Sequence, residues 1–432
     1  MDSSNAFSLS SPGSIFVAAL TLAFLAHKAW PHLSPQKKTY KFSDPSQQNC
    51  KASSGLRVIK EPEAPEGWWS GRDAFELERR ALFSKTWLYI AHSSQLTKPG
   101  AYQSFDIAGF PVFLICGKDK KIRAFHNVCR HRAYTITRKE TGASTVLGCR
   151  YHGWSYDTTG KLVKAPSFDD VPGFNKSENS LFEIHTRTTE QGHVFVNLNA
   201  GEPAAFVNST RSALDSFSLK AGLGSSEWVT GQTLTANFNW KLGMNDRHCT
   251  KLVEKLEQRV SKSATSSLAS KLVAIAMQTN KQADCSLFPG TFLYSFENAG
   301  LWLTVSFFPA SERTTNVRYD LFDCAPKATT DKSALARAVE RPMQELVKDI
   351  ELEFQSVSEE STGGSTNIHR ILDCLQEHRK LEKTCGGQIL PAMHQPRGSS
   401  LFQQAEQLCK ELDCSEPRSG NRTGAVSGGL DW

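Results

Sequence analysis

The sequence predicts an α+β chain: a small antiparallel β module followed by a larger module in which an antiparallel sheet is flanked by helices. Three observations carry this reading. Short apolar runs broken by turn signals fill residues 102–198, longer strand-like runs lie at 301–308 and 316–322, and helical periodicity marks 72–83 and 343–357. With 432 residues, 39% of them apolar and 10% aromatic, the chain has room for two or three cores.

In chain order, the first feature is an apolar run of thirteen residues, Ser14 to Ala26. Stretched to 14–30 it approaches the ~20 residues that span a bilayer. Lys28, Lys37 and Lys38 follow it, so as an anchor it would leave the large modules in the cytosol. The alternatives are a peripheral N-terminal segment and a cleaved presequence. Residues 31–65, rich in Ser, Pro, Lys and Gln, read as a linker. Arg72 to Phe83 sets Phe75, Leu82 and Phe83 among charges, the pattern of a surface helix. Strand signals then run through Tyr102–Ile107, Pro111–Cys116 and Ile122–Phe125, divided by Gly109 and by the turn residues 117–121. His193 to Leu198 closes the module, whose span is 66–200. In the second module, 201–413, Met343, Leu346, Val347, Ile350, Phe354 and Val357 form one apolar helical stripe. The tail 414–432, rich in Ser, Gly and Arg, reads as disordered.

The chemistry is concentrated in two fragments, Cys129-Arg130-His131 and Cys149-Arg150-Tyr151-His152. Each offers one thiolate and one imidazole, and the pair supplies the two sulfur and two nitrogen ligands of a Rieske [2Fe–2S] cluster. A Cys2His2 zinc site is the alternative, but zinc fingers group cysteine with cysteine and histidine with histidine. Gly153 and Gly160 suit tight turns beside the cluster; Trp154 and Tyr156 either shield it or belong to the ordinary core. The other nine cysteines are irregularly spaced and read as reduced thiols. A net charge of +6, with Lys and Arg spread along the chain, argues against a nucleic-acid partner and is compatible with a basic patch facing an acidic electron donor.

With the residues around it, Asn127-Val128 before the first fragment and Gly153-Trp154-Ser155-Tyr156-Asp157 after the second, the segment resembles the cluster loops of the Rieske non-haem iron oxygenases, the aromatic-ring-hydroxylating and choline monooxygenase-like family. The resemblance implies that Cys129 and Cys149 hold one iron and His131 and His152 the other. It further implies a terminal component that takes electrons from a reductase or ferredoxin and uses O2 to hydroxylate a choline-like amine, an aromatic or a natural-product intermediate. Assembly as a homotrimer is also implied. An electron-transfer subunit that has lost its second iron site is the alternative function.

Such an oxygenase also needs a mononuclear Fe(II), held in the family by two histidines and a carboxylate. Asn239-Trp240-Lys241 matches the strand end that precedes the histidines. Residues 242–286 then depart from the pattern: His248 is present, but the position of its partner falls at Leu252 or Val253. The resemblance assigns Asp349 as the carboxylate ligand and Asp246 as the bridging acid that links a cluster histidine to the iron of the next subunit. From the residues alone, a position such as Asp349 is more often a solvated helix charge than a ligand, and a buried structural histidine is the alternative for His248.

Overall fold

The computed structural model describes residues 65–391, apart from 169–170, 172, 224–225, 246, 249, 253–254, 257–283, 297–298, 325–331 and 358–366. All of them belong to one compact unit, Glu61–Trp432. The apolar N-terminal run, the linker and the C-terminal tail lie outside the described residues. Among the described residues, no helix is long and apolar enough to cross a membrane.

Ten strands make up the first part: β1 (Leu88–His92), β2 (Ala101–Ile107), β3 (Phe110–Cys116), β4 (Ile122–His126), β5 (Thr141–Ala143), β6 (Val146–Gly148), β7 (Ser155–Asp157), β8 (Leu162–Lys164), β9 (Glu183–Thr188) and β10 (His193–Asn197). Seven form one antiparallel sheet in the order β1-β10-β9-β4-β3-β2-β5, and β6-β7-β8 form a small separate one. The expected strands therefore fall where the apolar runs placed them. Ala108 and Gly109 join β2 to β3 as a two-residue loop with positive φ at both positions, 54° and 73°, the twist that a tight hairpin requires. β3 is buried at six of its seven residues, which explains its unbroken apolar sequence FPVFLIC.

The second sheet contains β11 (Glu227–Ala236), β12 (Cys285–Leu287), β13 (Thr291–Phe296), β14 (Leu301–Pro309) and β15 (Thr315–Asp323), in the antiparallel order β11-β15-β14-β13-β12. Every residue of β13 and β14 is buried. Among the helices in the described residues are α1 (Arg72–Glu78), α2 (Asn208–Ala221), α3 (Trp240–Gly243), α4 (Lys332–Phe354) and α5 (Ile368–Cys385). The expected stripe on α4 is buried at Met343, Leu346, Val347 and Ile350, with Phe354 and Val357 packed at its edge.

The leading helix is not the surface helix that its charges suggest. It continues as a π-helix, Arg79–Phe83, and Glu78 and Arg80 are buried along with Leu82 and Phe83. Paired charges make this burial tolerable. Glu78 accepts hydrogen bonds from Lys241 Nζ at 2.6 Å and Trp240 Nε1 at 2.8 Å, and Arg80 Nε lies 2.6 Å from Glu382 on α5. The Lys241 ammonium also sits 4.5 Å from the centre of a Trp68 ring and within 6 Å of Trp69 and Trp240, an aromatic cage filled by the chain's own cation. Asn239-Trp240-Lys241 thus fastens the leading helix to the second module.

Candidate metal centres

Two loops of the same construction carry the four donors. In the first, Cys129 N–H donates to Tyr134 O at 2.8 Å and Ala133 N–H donates back to Cys129 O at 2.9 Å. In the second, Cys149 N–H donates to Trp154 O at 2.8 Å and Gly153 N–H to Cys149 O at 3.0 Å. The fifth residue of each loop has positive φ: 52° at Ala133 and 73° at Gly153. The glycine of the second loop was legible in the sequence; its alanine counterpart was not, because L-residues other than Gly seldom take this conformation.

These loops bring the donors together in like pairs. Cys129 and Cys149 are reduced and hydrogen-bonded to each other, while the rings of His131 and His152 stand 4.6 Å apart. Sharing a proton lowers the pKa of the Cys149 thiol, with help from the backbone N–H groups of Tyr151 and His152, and raises that of Cys129. Burial, aided by the charge of Arg132, lowers the pKa of His152 and favours the neutral imidazole that a metal needs. Among the described residues, no three His, Cys, Asp or Glu side chains converge on a point that could hold one ion. A zinc ion would need all four donors at one centre, whereas a [2Fe–2S] cluster takes two thiolates on one iron and two imidazoles on the other. The donor set fits the cluster.

The aromatics after the second loop are both core and donor environment. Trp154, fully buried, stacks on His131 with ring centres 5.0 Å apart and planes at 11°. The Tyr156 hydroxyl accepts the Arg130 N–H at 3.0 Å, which turns its own proton toward Cys129 Sγ at 3.3 Å. At Gly160, φ is +78° and an added Cβ would sit 2.4 Å from Phe125.

Residues 86–175 match the model of the Rieske [2Fe–2S] domain. The carnitine monooxygenase oxygenase subunit of Acinetobacter baumannii is 33% identical over 135 residues, 31% of this chain and 36% of that one. The chlorobenzene dioxygenase subunit alpha of a Cupriavidus species is 30% identical over 177 residues, 40% of this chain and 39% of its own. Residues 86–175 are thus a Rieske [2Fe–2S] domain, and over that part the chain is similar to subunits of Rieske non-haem iron oxygenases. It spans only about a third of the length of the carnitine monooxygenase subunit that it matches. The crystal structure of the quaternary ammonium Rieske monooxygenase CntA with L-carnitine shares the fold, with a TM-score of 0.55 at 22% identity over 70% of this chain and 86% of that one.

The described residues expected to hold a second iron are arranged otherwise than the resemblance implied. His248 is buried beside Leu252 and Leu256, as its spacing suggested, and neither ring nitrogen has a hydrogen-bond partner of normal geometry. Burial pushes its pKa down to about 4, against the pull of Glu353. Asp349 lies on the flank of α4, but its Oδ2 is 2.9 Å from Lys255 Nζ. One turn on, Glu353 lies 3.6 Å from both Arg247 and Lys251. Arg247, Lys251 and Lys255 recur at every fourth residue of a helical stretch, so they share one face and meet the two carboxylates of α4 as a ladder. This spacing is visible in the sequence, but its acidic partners on α4 are not. No second histidine joins His248 among the described residues, and Asp246 lies outside them. The described residues do not by themselves make up a site for a mononuclear iron.

Proposed function

We propose that this chain is the terminal component of a Rieske-type oxygenase system, taking electrons one at a time from a reductase in the service of O2-dependent hydroxylation of a small organic substrate. The observation that carries the reading is the pairing of Cys129 with Cys149 and of His131 with His152 on two like-built loops, the ligand set proposed here. A [2Fe–2S] cluster bound there would accept and release single electrons at a potential raised by the neutral imidazoles. Trp154 fixes the His131 ring, Tyr156 aims its hydroxyl proton at the Cys129 sulfur, and the surrounding core keeps water from the thiolates.

A second reading has its own support. Because Lys255 holds Asp349, the chain would be an electron-transfer subunit that has lost the mononuclear iron. Metal and acid-labile sulfide per chain, after purification without oxygen, separate the two. About three irons with two sulfides, together with reductase-dependent O2 consumption coupled to product, support the oxygenase; about two irons with two sulfides support the electron-transfer subunit. Zinc without sulfide would sink both.

A further inference from the structure

The two donor loops are alike in a further way. In each, the residue five positions after the cysteine accepts the cysteine N–H on its own carbonyl: Tyr134 in the first loop, Trp154 in the second. Both residues are aromatic, and that hydrogen bond pins the backbone that carries each ring. Trp154 crosses to the other loop and stacks on His131. Tyr134 crosses as well, but its ring meets Tyr151, with ring centres 5.3 Å apart and planes at 34°, a spacing that aromatic pairs favour. Tyr151 in turn lies against His152, ring centres 3.9 Å apart.

The two histidines differ in their surroundings. Of the four donors, Cys129, Cys149 and His131 are buried, and only His152 is half-buried. The core holds His131, whose ring has Phe168 at 5.1 Å as well as Trp154 at 5.0 Å. His152 stands nearer the surface, and Tyr151 beside it is itself exposed, so the histidine ring keeps one orientation only if the tyrosine does. Tyr134 supplies that support from a half-buried position. Arg138 packs on Tyr134 in turn, its guanidinium 5.0 Å from the ring centre and within the range of a cation–π contact. Arg138, Tyr134, Tyr151 and His152 therefore form one row that runs from the first loop to the donor ring of the second.

We propose that Tyr134 is a positioning residue for His152: acting through Tyr151, it fixes the ring of the most exposed donor, as Trp154 fixes that of His131. The proposal rests on the cluster reading above and goes beyond it by assigning the side chain that orients the second imidazole. Groups that orient a ligating histidine without touching the metal commonly change metal retention by about ten- to a hundredfold when removed. A role in folding alone predicts the opposite pattern, a loss of stability with no change at the cluster.

The test compares the full-length wild type, loaded with the cluster, with Tyr134→Ala, Tyr134→Phe, Tyr151→Leu and the double variant of Tyr134→Ala with Tyr151→Leu. Each is read by the electron paramagnetic resonance spectrum of the dithionite-reduced cluster, by the rate at which labile sulfide is lost to an iron chelator, and by urea unfolding of the cluster-free protein. Tyr134→Phe keeps the ring and should match the wild type throughout. Tyr134→Ala should broaden the spectrum, as His152 samples several orientations, and should lose sulfide about tenfold faster. Tyr151→Leu should do the same, and the double variant should be no faster than Tyr151→Leu, because the brace acts only through its link. A Tyr134→Ala protein with the wild-type spectrum and sulfide loss overturns the proposal, as does one whose only change is lower stability. Tyr134→Phe behaving like Tyr134→Ala overturns it too, since the hydroxyl and not the ring would then matter, and so does an additive double variant. Should Tyr134→Ala fail to fold, a wild-type spectrum in Tyr151→Leu, altered at an exposed site, overturns it alone. Wild-type protein without labile sulfide overturns the cluster reading instead, which keeps the two failures apart.

Discussion

Lys255 Nζ lies 2.9 Å from Asp349 Oδ2, so the carboxylate that resemblance assigns to an iron is held by an ammonium ion of the same chain. Both groups keep some contact with water, at 21% and 37% side-chain exposure. Their attraction is therefore modest, and a double-mutant cycle of Lys255→Met and Asp349→Asn should give a coupling energy of about 0.5–1 kcal/mol that shrinks in high salt. A coupling of zero would mean that the carboxylate is not held by the lysine and remains available to a metal.

The Lys241–Glu78 pair is a different case because both side chains are almost fully buried. Replacing Lys241 with Met leaves Glu78 charged in the core with only the Trp240 N–H to satisfy it, and should cost about 3–5 kcal/mol in urea unfolding followed by tryptophan fluorescence. Adding Glu78→Gln should restore most of that loss. If the double variant is no more stable than the single, the cost comes from lost packing in the tryptophan cage rather than from the stranded carboxylate.

These two lysines show what the sequence could and could not disclose. The strands around Val112, Leu303 and Val317 and the stripe on α4 were legible because each pattern reports local burial at a fixed period. The two loops proposed to hold a cluster stood out because donor chemistry and spacing coincide at Cys129, His131, Cys149 and His152. The leading helix was misjudged because a charge reads as solvent-facing until its partner is known, and the partners of Glu78 and Arg80 lie 163 and 302 residues away. The second centre was only half legible: the lack of a second histidine near His248 was plain, but the pairing of Lys255 with Asp349 depends on how two distant helical segments meet.

Tyr156 offers a test of the first centre that does not depend on turnover. Its hydroxyl stabilises negative charge on the Cys129 sulfur, and a reduced cluster carries more negative charge than an oxidised one. Tyr156→Phe should therefore lower the midpoint potential while iron and sulfide content stay at wild-type levels. An unchanged potential would show that the hydroxyl serves only the Arg130 N–H.

Gly160 tests the scaffold beneath that site. With positive φ and Phe125 in the space that a Cβ would take, Gly160→Ala combines backbone strain with overpacking and should cost about 2–4 kcal/mol in thermal or urea unfolding. Gly222→Ala, at a helix end where nothing lies within 4 Å of the added Cβ, shares the positive φ without the clash and should cost less, about 1 kcal/mol. Equal losses would mean that backbone strain, and not Phe125, decides the effect.

His92 and His193 face each other in the core between the sheets, their ring centres 5.6 Å apart and both within 6 Å of the Trp302 ring. Burial lowers His92 to about 4 and His193 to about 3, the latter also by the charge of its neighbour. A histidine whose folded pKa lies below its unfolded value contributes stability that is fully present above the unfolded pKa, near 6.5, and is lost as pH falls toward the folded one. The protein should accordingly keep its stability down to about pH 6.5 and lose it steadily toward pH 4. His193→Asn should flatten that slope by about 1.4 kcal/mol per pH unit, the contribution of one proton, when urea unfolding is compared between pH 6 and 4.5. A variant with the wild-type slope would mean that His193 takes up its proton equally in both states, and that the acid sensitivity lies with other groups.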